Sequence, residues 1–182
     1  MKILKIILIS LVSLLISLLL FGWFIGFFKN MKVKEKEEGG FTVAGLKYTG
    51  PYSTNAKYMA QVEQKLLKLG IMPNREFGIY YDNPQTSSPE NCRSYVGCII
   101  REEDYDKIPE LISTGLIVDT VPKGKAIFTE FSLRNSVSFM LGAMKAYPLM
   151  SKYLSTKGYK ATMSIEIYVL VARKITYLMQ YE

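Results

Sequence analysis

The sequence predicts an α+β fold in which a strand–helix–strand–strand unit occurs twice, carried behind an N-terminal transmembrane helix. Three observations predict it. From Ile6 to Phe28 no residue is charged. Between Phe41 and Ile100 the hydrophobic period runs from two to about 3.6 and back to two. The same order of periods returns between Lys125 and Tyr181. The halves share little identity, so what repeats is the pattern.

The 23 residues from Ile6 to Phe28 hold only Ser10, Ser13 and Ser17 among apolar residues and glycines. As a helix they would be about 34 Å long at about 1.5 Å per residue, enough to cross a bilayer. Trp23 and the Phe27-Phe28 pair fall where an interfacial aromatic belt lies. A cleaved signal peptide has an apolar region of about 7–15 residues and a small-residue cleavage site. This run is longer and ends in aromatics. Residues 1–28 are therefore expected to hold a single-pass membrane anchor, with the helix over about 6–28. The α-amine, Lys2 and Lys5 on one flank nearly balance Lys29, Lys32, Lys34 and Lys36 on the other. The side of the membrane stays open, with a slight lean towards the cytoplasm.

Residues 29–40 read as a charged juxtamembrane linker, with Lys and Glu nearly alternating before Gly39-Gly40. The folded domain is expected over 41–182. Phe41–Thr49 is a predicted strand. Gly50-Pro51-Tyr52 turns the chain, and Ser53 or Thr54 can cap a helix. Tyr58, Met59, Val62, Leu66 and Leu69 recur at helical spacing until Gly70 stops them. Phe77–Tyr81 and Arg93–Ile100 are strands, the first broken by Asp82-Asn83-Pro84. A short helix ending at Gly115 and an extended Leu116–Val121 connect the halves. Lys125–Phe131 is the next strand. Ser132–Ala146 is helical, with Val137, Met140, Leu141 and Met144 on one face; Pro148 interrupts, and the helix resumes until Gly158. Met163–Leu170 and Lys174–Tyr181 close the chain.

Composition narrows the function. The net charge is +7, but from Phe41 onward 17 Lys and Arg stand against 13 Asp and Glu, leaving +4. No basic run or RNA-binding signature accompanies it, so no nucleic-acid partner is expected. There are no histidines, which removes His-based triads and His metal sites. Cys92 and Cys98 are too few for a zinc site without His. On one strand they would stand roughly 20 Å apart at about 3.3 Å per residue, too far to pair. Neither a metal nor a cofactor is expected.

The stretch with most chemistry is Ser164–Leu170. Ile165, Ile167 and Val169 share one strand face; Ser164, Glu166, Tyr168 and Leu170 share the other. A carboxylate in this apolar, aromatic setting is costly unless solvated, paired or kept for a ligand. Two readings fit: an edge-strand Glu in water or paired with a Lys, or a pocket floor where Glu166 meets a cation and Tyr168 stacks on it. Laid on the first half, Phe77–Asp82 falls on Met163–Tyr168. Tyr80 and Asp82 then take the face of Glu166 and Tyr168. Two such units side by side would leave a small-ligand cleft between two sheets related by a pseudo-twofold axis.

Several motifs together resemble the GyrI-like small-molecule-binding family, which includes the effector-binding domains of BmrR-type multidrug regulators. They are Tyr48-x-Gly50-Pro51-Tyr52, Gly78-Ile79-Tyr80-Tyr81-Asp82-Asn83-Pro84, Cys92-Arg93-x-x-Val96-Gly97, Tyr147-Pro148-Leu149 with Lys152-Tyr153, and Ile165-Glu166-Ile167-Tyr168. The N-terminal helix is similar to that of the subgroup containing the membrane-anchored testis-expressed ER-phagy receptor and its bacterial single-pass look-alikes. The resemblance implies the duplicated fold. It also implies that Glu166 matches the family's pocket glutamate, which in drug-binding members meets lipophilic cations among aromatic side chains. The expected ligand-binding residues are Glu166 for charge, with Tyr168, Tyr80 and Tyr48 as walls, for a small cationic or amphipathic molecule. The chain departs from the family in having no helix-turn-helix before the domain. The last predicted strand runs almost to Glu182, so the resemblance is not expected to extend to the receptor's long tail. Neither a regulator role nor an ER-phagy role is therefore carried over. Two alternatives stand beside ligand binding: a membrane-tethered adaptor for a protein partner, and a hydrolase of electrophilic small molecules. Catalysis, in the latter, would rest on Glu166, with Tyr168 or Tyr80 as hydrogen-bond donor.

Overall fold

Helix α1 (Lys2–Ile25) opens the computed structural model, which describes residues 2–182. None of its 24 residues is buried, and it is long and apolar enough to cross a membrane. Within it the Ser17 hydroxyl donates to Ser13 O at 2.9 Å, so that side chain needs no water. The helix stops three residues before the expected Phe28, because Gly26 adopts φ +82°. Phe27 N then donates to Gly22 O at 2.8 Å and Gly26 N to Trp23 O at 3.1 Å. Those two bonds form the Schellman closure that a left-handed glycine allows.

The rest is β1 (Lys34–Glu38), β2 (Phe41–Thr49), α2 (Asn55–Lys68), β3 (Glu76–Tyr80), β4 (Arg93–Ile100), α3 (Ile108–Ser113), β5 (Ile117–Val121), β6 (Gly124–Ser132), α4 (Val137–Lys157), β7 (Ala161–Val169) and β8 (Lys174–Tyr181). Both halves thus run strand–helix–strand–strand. The strands join into one eight-stranded sheet of order β1-β6-β8-β7-β3-β4-β2-β5, not two sheets flanking a cleft. The order reads the same from either end: β2-β4-β3 answers β6-β8-β7, with β3 and β7 paired at the centre and one added strand at each edge.

Two short links curl this sheet. Gly39-Gly40 joins β1 to β2, and Pro122-Lys123 joins β5 to β6, although each pair lies near opposite ends of the strand order. The two ends must therefore meet. At the meeting point Gly40 N donates to Val121 O, and Gln180 Nε2 donates to both Pro122 O and Glu38 O. The inner face of the curl is filled by Val43, Phe77, Ile79, Tyr95, Ile165, Ile167 and Leu178. On the outer face α2 and α3 cover one core (Val62, Leu66, Leu111), and α4 covers another (Phe131, Met150, Tyr177).

Four local expectations change. The charged stretch is not all linker: Lys34–Glu38 pair antiparallel with β6. Alternating Lys and Glu is itself a period-two pattern, and charge is what an edge strand carries. Neither Ser53 nor Thr54 caps α2 with its side chain; a 3₁₀ turn over Tyr52–Thr54 leads into the helix instead. Pro148 does not break α4, which runs unbroken to the left-handed Gly158. Finally, α4 buries Ser138, Leu141, Gly142, Ala146, Met150 and Leu154, leaving Met140 and Met144 exposed. Small residues face inward because the helix lies close on β6 and β8. Cys92 and Cys98 are buried and free, as their spacing predicts.

Candidate functional site

At the centre of the sheet, between α2 and α4, the β3–β7 pair places Gly78 opposite Glu166 and Glu76 opposite Tyr168. Period-two alternation puts Ile165 and Ile167 into the inner core and turns Glu166 and Tyr168 towards the helices. Gly78 makes room at this point. A Cβ there would stand 2.7 Å from the Tyr80 hydroxyl, so only glycine lets the Tyr80 ring fold back across the strand.

Glu166 is 8% exposed. Tyr168 Oη donates to its Oε2 at 2.6 Å, and Tyr147 Oη, from α4, donates to its Oε1 at 2.7 Å. The Tyr80 and Tyr168 hydroxyls are 3.0 Å apart. Because the Tyr168 proton is committed to the carboxylate, Tyr80 is the donor of that pair. The result is a chain of phenols ending on one buried carboxylate. Among the described residues no Lys or Arg nitrogen lies within ion-pair distance of Glu166. Burial pushes its carboxyl above the ordinary glutamate range, and the bonds from Tyr168 and Tyr147 oppose that rise without cancelling it. Tyr168 and Tyr147 are pushed far up, first by burial and then by the charge of Glu166. Tyr80 moves the same way for the same two reasons. All three therefore remain hydrogen-bond donors at neutral pH.

The surroundings are aromatic. Phe139 of α4 sits 5.7 Å from the Tyr168 ring, centroid to centroid, and Tyr52 meets Tyr80 edge-on at 4.9 Å. Beside Tyr52, buried Asn55 accepts from Ser94 through Oδ1, while its Nδ2 has no partner among the described residues. The structure thus brings together Glu166, Tyr168 and Tyr80. It leaves out Tyr48, whose ring packs at a tilt on Tyr58, with centroids 4.3 Å apart. Sequence reasoning missed Tyr147, Phe139 and Tyr52 as site residues. Tyr147 and Tyr52 both stood in quoted motifs, but a helix broken at Pro148 gave Tyr147 no direction. Asp82, matched to Tyr168 in the overlay of halves, is spent elsewhere, on Arg93.

Side chains close over Glu166. Two surface hollows, of about 210 Å³ beside Phe41 and Tyr105 and about 440 Å³ beside Tyr159 and Tyr181, do not reach it. No cluster of three or more potential metal ligands occurs among the described residues.

Comparison with known proteins gives three findings. The profile of the GyrI-like small molecule binding domain matches residues 31–177. Human testis-expressed protein 264 is 27% identical over 163 residues, covering 85% of this chain and 50% of that protein. Its mouse homologue is 31% identical over 99 residues, covering 52% and 32%. The chain thus spans half or less of the length of these curated relatives. Among solved structures, the EcmrR C-terminal domain superposes with a TM-score of 0.59 at 13% identity, covering 84% of this chain and 98% of that one. A structure of SAV2435 bound to tetraphenylphosphonium superposes with a TM-score of 0.53 at 11% identity, covering 83% and 94%.

Proposed function

The chain belongs to the GyrI-like small-molecule-binding family, and on that premise we propose that it is a membrane-anchored binding protein for a small lipophilic cation held at Glu166. One observation carries the reading. A buried carboxylate is supported by two phenol donors and has no cationic side chain within reach among the described residues. Such a group costs several kcal/mol in desolvation, and a bound cation would offset that cost. Phe139, Tyr52 and the site tyrosines would supply ring faces for the apolar part of the ligand. Two structural observations support the anchor: α1 is long enough to span a bilayer and has no buried residue.

Entry requires movement, because Phe139 and the first half of α4 cover the site. Phe139 is 42% exposed and lies against the Tyr168 ring, so it is the side chain that would swing aside.

The test is calorimetric titration of the full chain in detergent with tetraphenylphosphonium, the cation that a structural neighbour holds. Wild type is expected to bind, and Glu166→Gln to bind at least about tenfold more weakly, a loss of about 1.4 kcal/mol or more. Equal affinities in both folded proteins would remove Glu166 as the charge that selects the ligand.

A further inference from the structure

The carboxyl end of α1 is bound to the domain rather than leading away from it. Ile25 packs on the α4 core, and Gly26 is buried against the Phe131 ring. Arg134, in the loop between β6 and α4, donates through Nη1 to Phe24 O at 3.0 Å and to Trp23 O at 3.3 Å. Lys145 donates to Phe27 O at 2.5 Å and to Lys29 O at 2.7 Å. Two cations thus satisfy carbonyls at the helix end and just beyond it, where its dipole is negative. These bonds also fix depth. Where α1 crosses a bilayer, Trp23, Phe24, Phe27 and Phe28 lie at the interface. Arg134 and the start of α4 are then held at the same level.

The surface around that level is apolar and rimmed by positive charge. Leu133 N donates to Arg173 O at 2.7 Å, which ties the β7–β8 turn to the same loop. That turn presents Val171, 87% exposed, and Leu170. On α4, Met140 is 62% exposed and Val137 is also uncovered. Arg134 and Arg173, in the two loops that the Leu133–Arg173 bond ties together, are both exposed. Large exposed apolar side chains on elements tied together mark a candidate interaction surface. Cations beside it suit the phosphates of lipid headgroups.

We propose that this face, made of the β7–β8 turn and the first turns of α4, lies in the bilayer interface beside α1. The domain then leans on the membrane instead of swinging from a tether. Continuity with α1 names the bilayer as occupant. The placement also gives the cation site its source of ligand: Phe139, next to Met140, roofs Tyr168, so the cover of the site meets the phase in which lipophilic cations concentrate. This inference rests on α1 being a membrane span.

The experiment uses the full chain reconstituted in bilayers of phosphatidylcholine and phosphatidylserine brominated high on the acyl chains. Trp23 is the sole tryptophan of the natural sequence and reports on α1. A second protein carries Val171→Trp with Trp23→Phe. A third carries Ile112→Trp with Trp23→Phe, placing the indole on α3 beside the edge strand β5, in the other half of the repeat, where Ile112 is 55% exposed. The Val171→Trp indole is expected to lose most of its emission to the brominated lipid, to emit at shorter wavelength than the Ile112→Trp indole, and to resist iodide. The Ile112→Trp indole is expected to be quenched by iodide alone. If wild-type Trp23 is quenched by lipid but the Val171→Trp indole behaves like the Ile112→Trp one, the leaning domain is overturned and the anchor stands. If Trp23 itself escapes the brominated lipid, the anchor and this inference fall together.

Discussion

Asp82, two residues past the end of β3, and Glu166, within β7, belong to the two central strands, one in each half of the repeated pattern, and the fold gives them opposite partners. Asp82 is held by Arg93 through both carboxylate oxygens, with Nε–Oδ2 at 3.0 Å and Nη2–Oδ1 at 2.9 Å. The Arg93 backbone N–H adds a third bond at 2.7 Å. Those bonds hold the Asp82 carboxyl below the usual range. Glu166 has phenols where Asp82 has a guanidinium, and burial moves its carboxyl the other way. A carboxylate with its own arginine is electrically complete and fastens a loop to a strand. A buried carboxylate given only neutral donors is solvated but not neutralised, which leaves a place for a cation from outside. The repeat built one frame twice, and the neighbours decided which copy holds the candidate site.

The covering helices differ in the same way. The helix over the site, α4, carries an exposed proline in its interior; α2 carries none. Pro148 leaves the Met144 carbonyl without its helical donor, a defect that typically costs about 3 kcal/mol. Pro148→Ala is therefore expected to give the largest change, a stabilisation approaching about 3 kcal/mol in a denaturant titration. No gain would mean that the helix tolerates Pro148 at no cost.

Tyr168→Phe comes next. It removes a bond to a charged group, worth about 1.5–3 kcal/mol, and strands Tyr80. Lower stability and weaker cation binding are both expected, read by thermal unfolding and by titration. Unchanged cation affinity would argue that Tyr147 alone supports the carboxylate.

The pH dependence separates the halves further. Folding raises the Glu166 pKa, so above the unfolded value of about 4.3 the native state holds the extra proton. Stability from this group therefore falls as pH rises through the folded pKa. Cation affinity rises over the same window, as the carboxyl becomes charged. Thermal unfolding from acid to neutral pH should show this slope in wild type and lose it in Glu166→Gln. Asp82 has the opposite sign: its pKa is lowered on folding, so its contribution is present above the unfolded value and lost as pH falls.

The smallest effect belongs to Asp82→Asn. The pair is solvent-exposed on the arginine side and screened by salt. Cation affinity is expected to match wild type, and the melting temperature to shift only slightly. A large loss of cation binding here would break the contrast between the halves.

Much of this was legible in the sequence. The strand over Phe41–Thr49 and the strand over Arg93–Ile100 form as their alternation predicts. Gly70 and Gly158 adopt left-handed φ at the expected helix stops. The division of Ser164–Leu170 into a core face and a polar face also holds, because side-chain period is a local property that burial on one side strongly selects. For the site, the pairing of Glu166 with Tyr168 was visible in a seven-residue window. Tyr147 was hidden behind a proline, and Tyr48 shared a motif with Tyr52 but faces a different neighbour.

By itself, then, the sequence determined which residues alternate, where the chain turns, which run could span a membrane, and that these 182 residues include no histidine. Only the tertiary structure decided what each face meets. It closed the sheet through two two-residue links, enlisted Lys34–Glu38 as a strand, and carried α4 straight through Pro148. That last step delivered the Tyr147 hydroxyl to Glu166 across 19 residues of chain. Local periodicity records which side of an element is apolar. The partner that covers it is set by long-range packing, where summed burial and hydrogen bonds outweigh the cost of one proline.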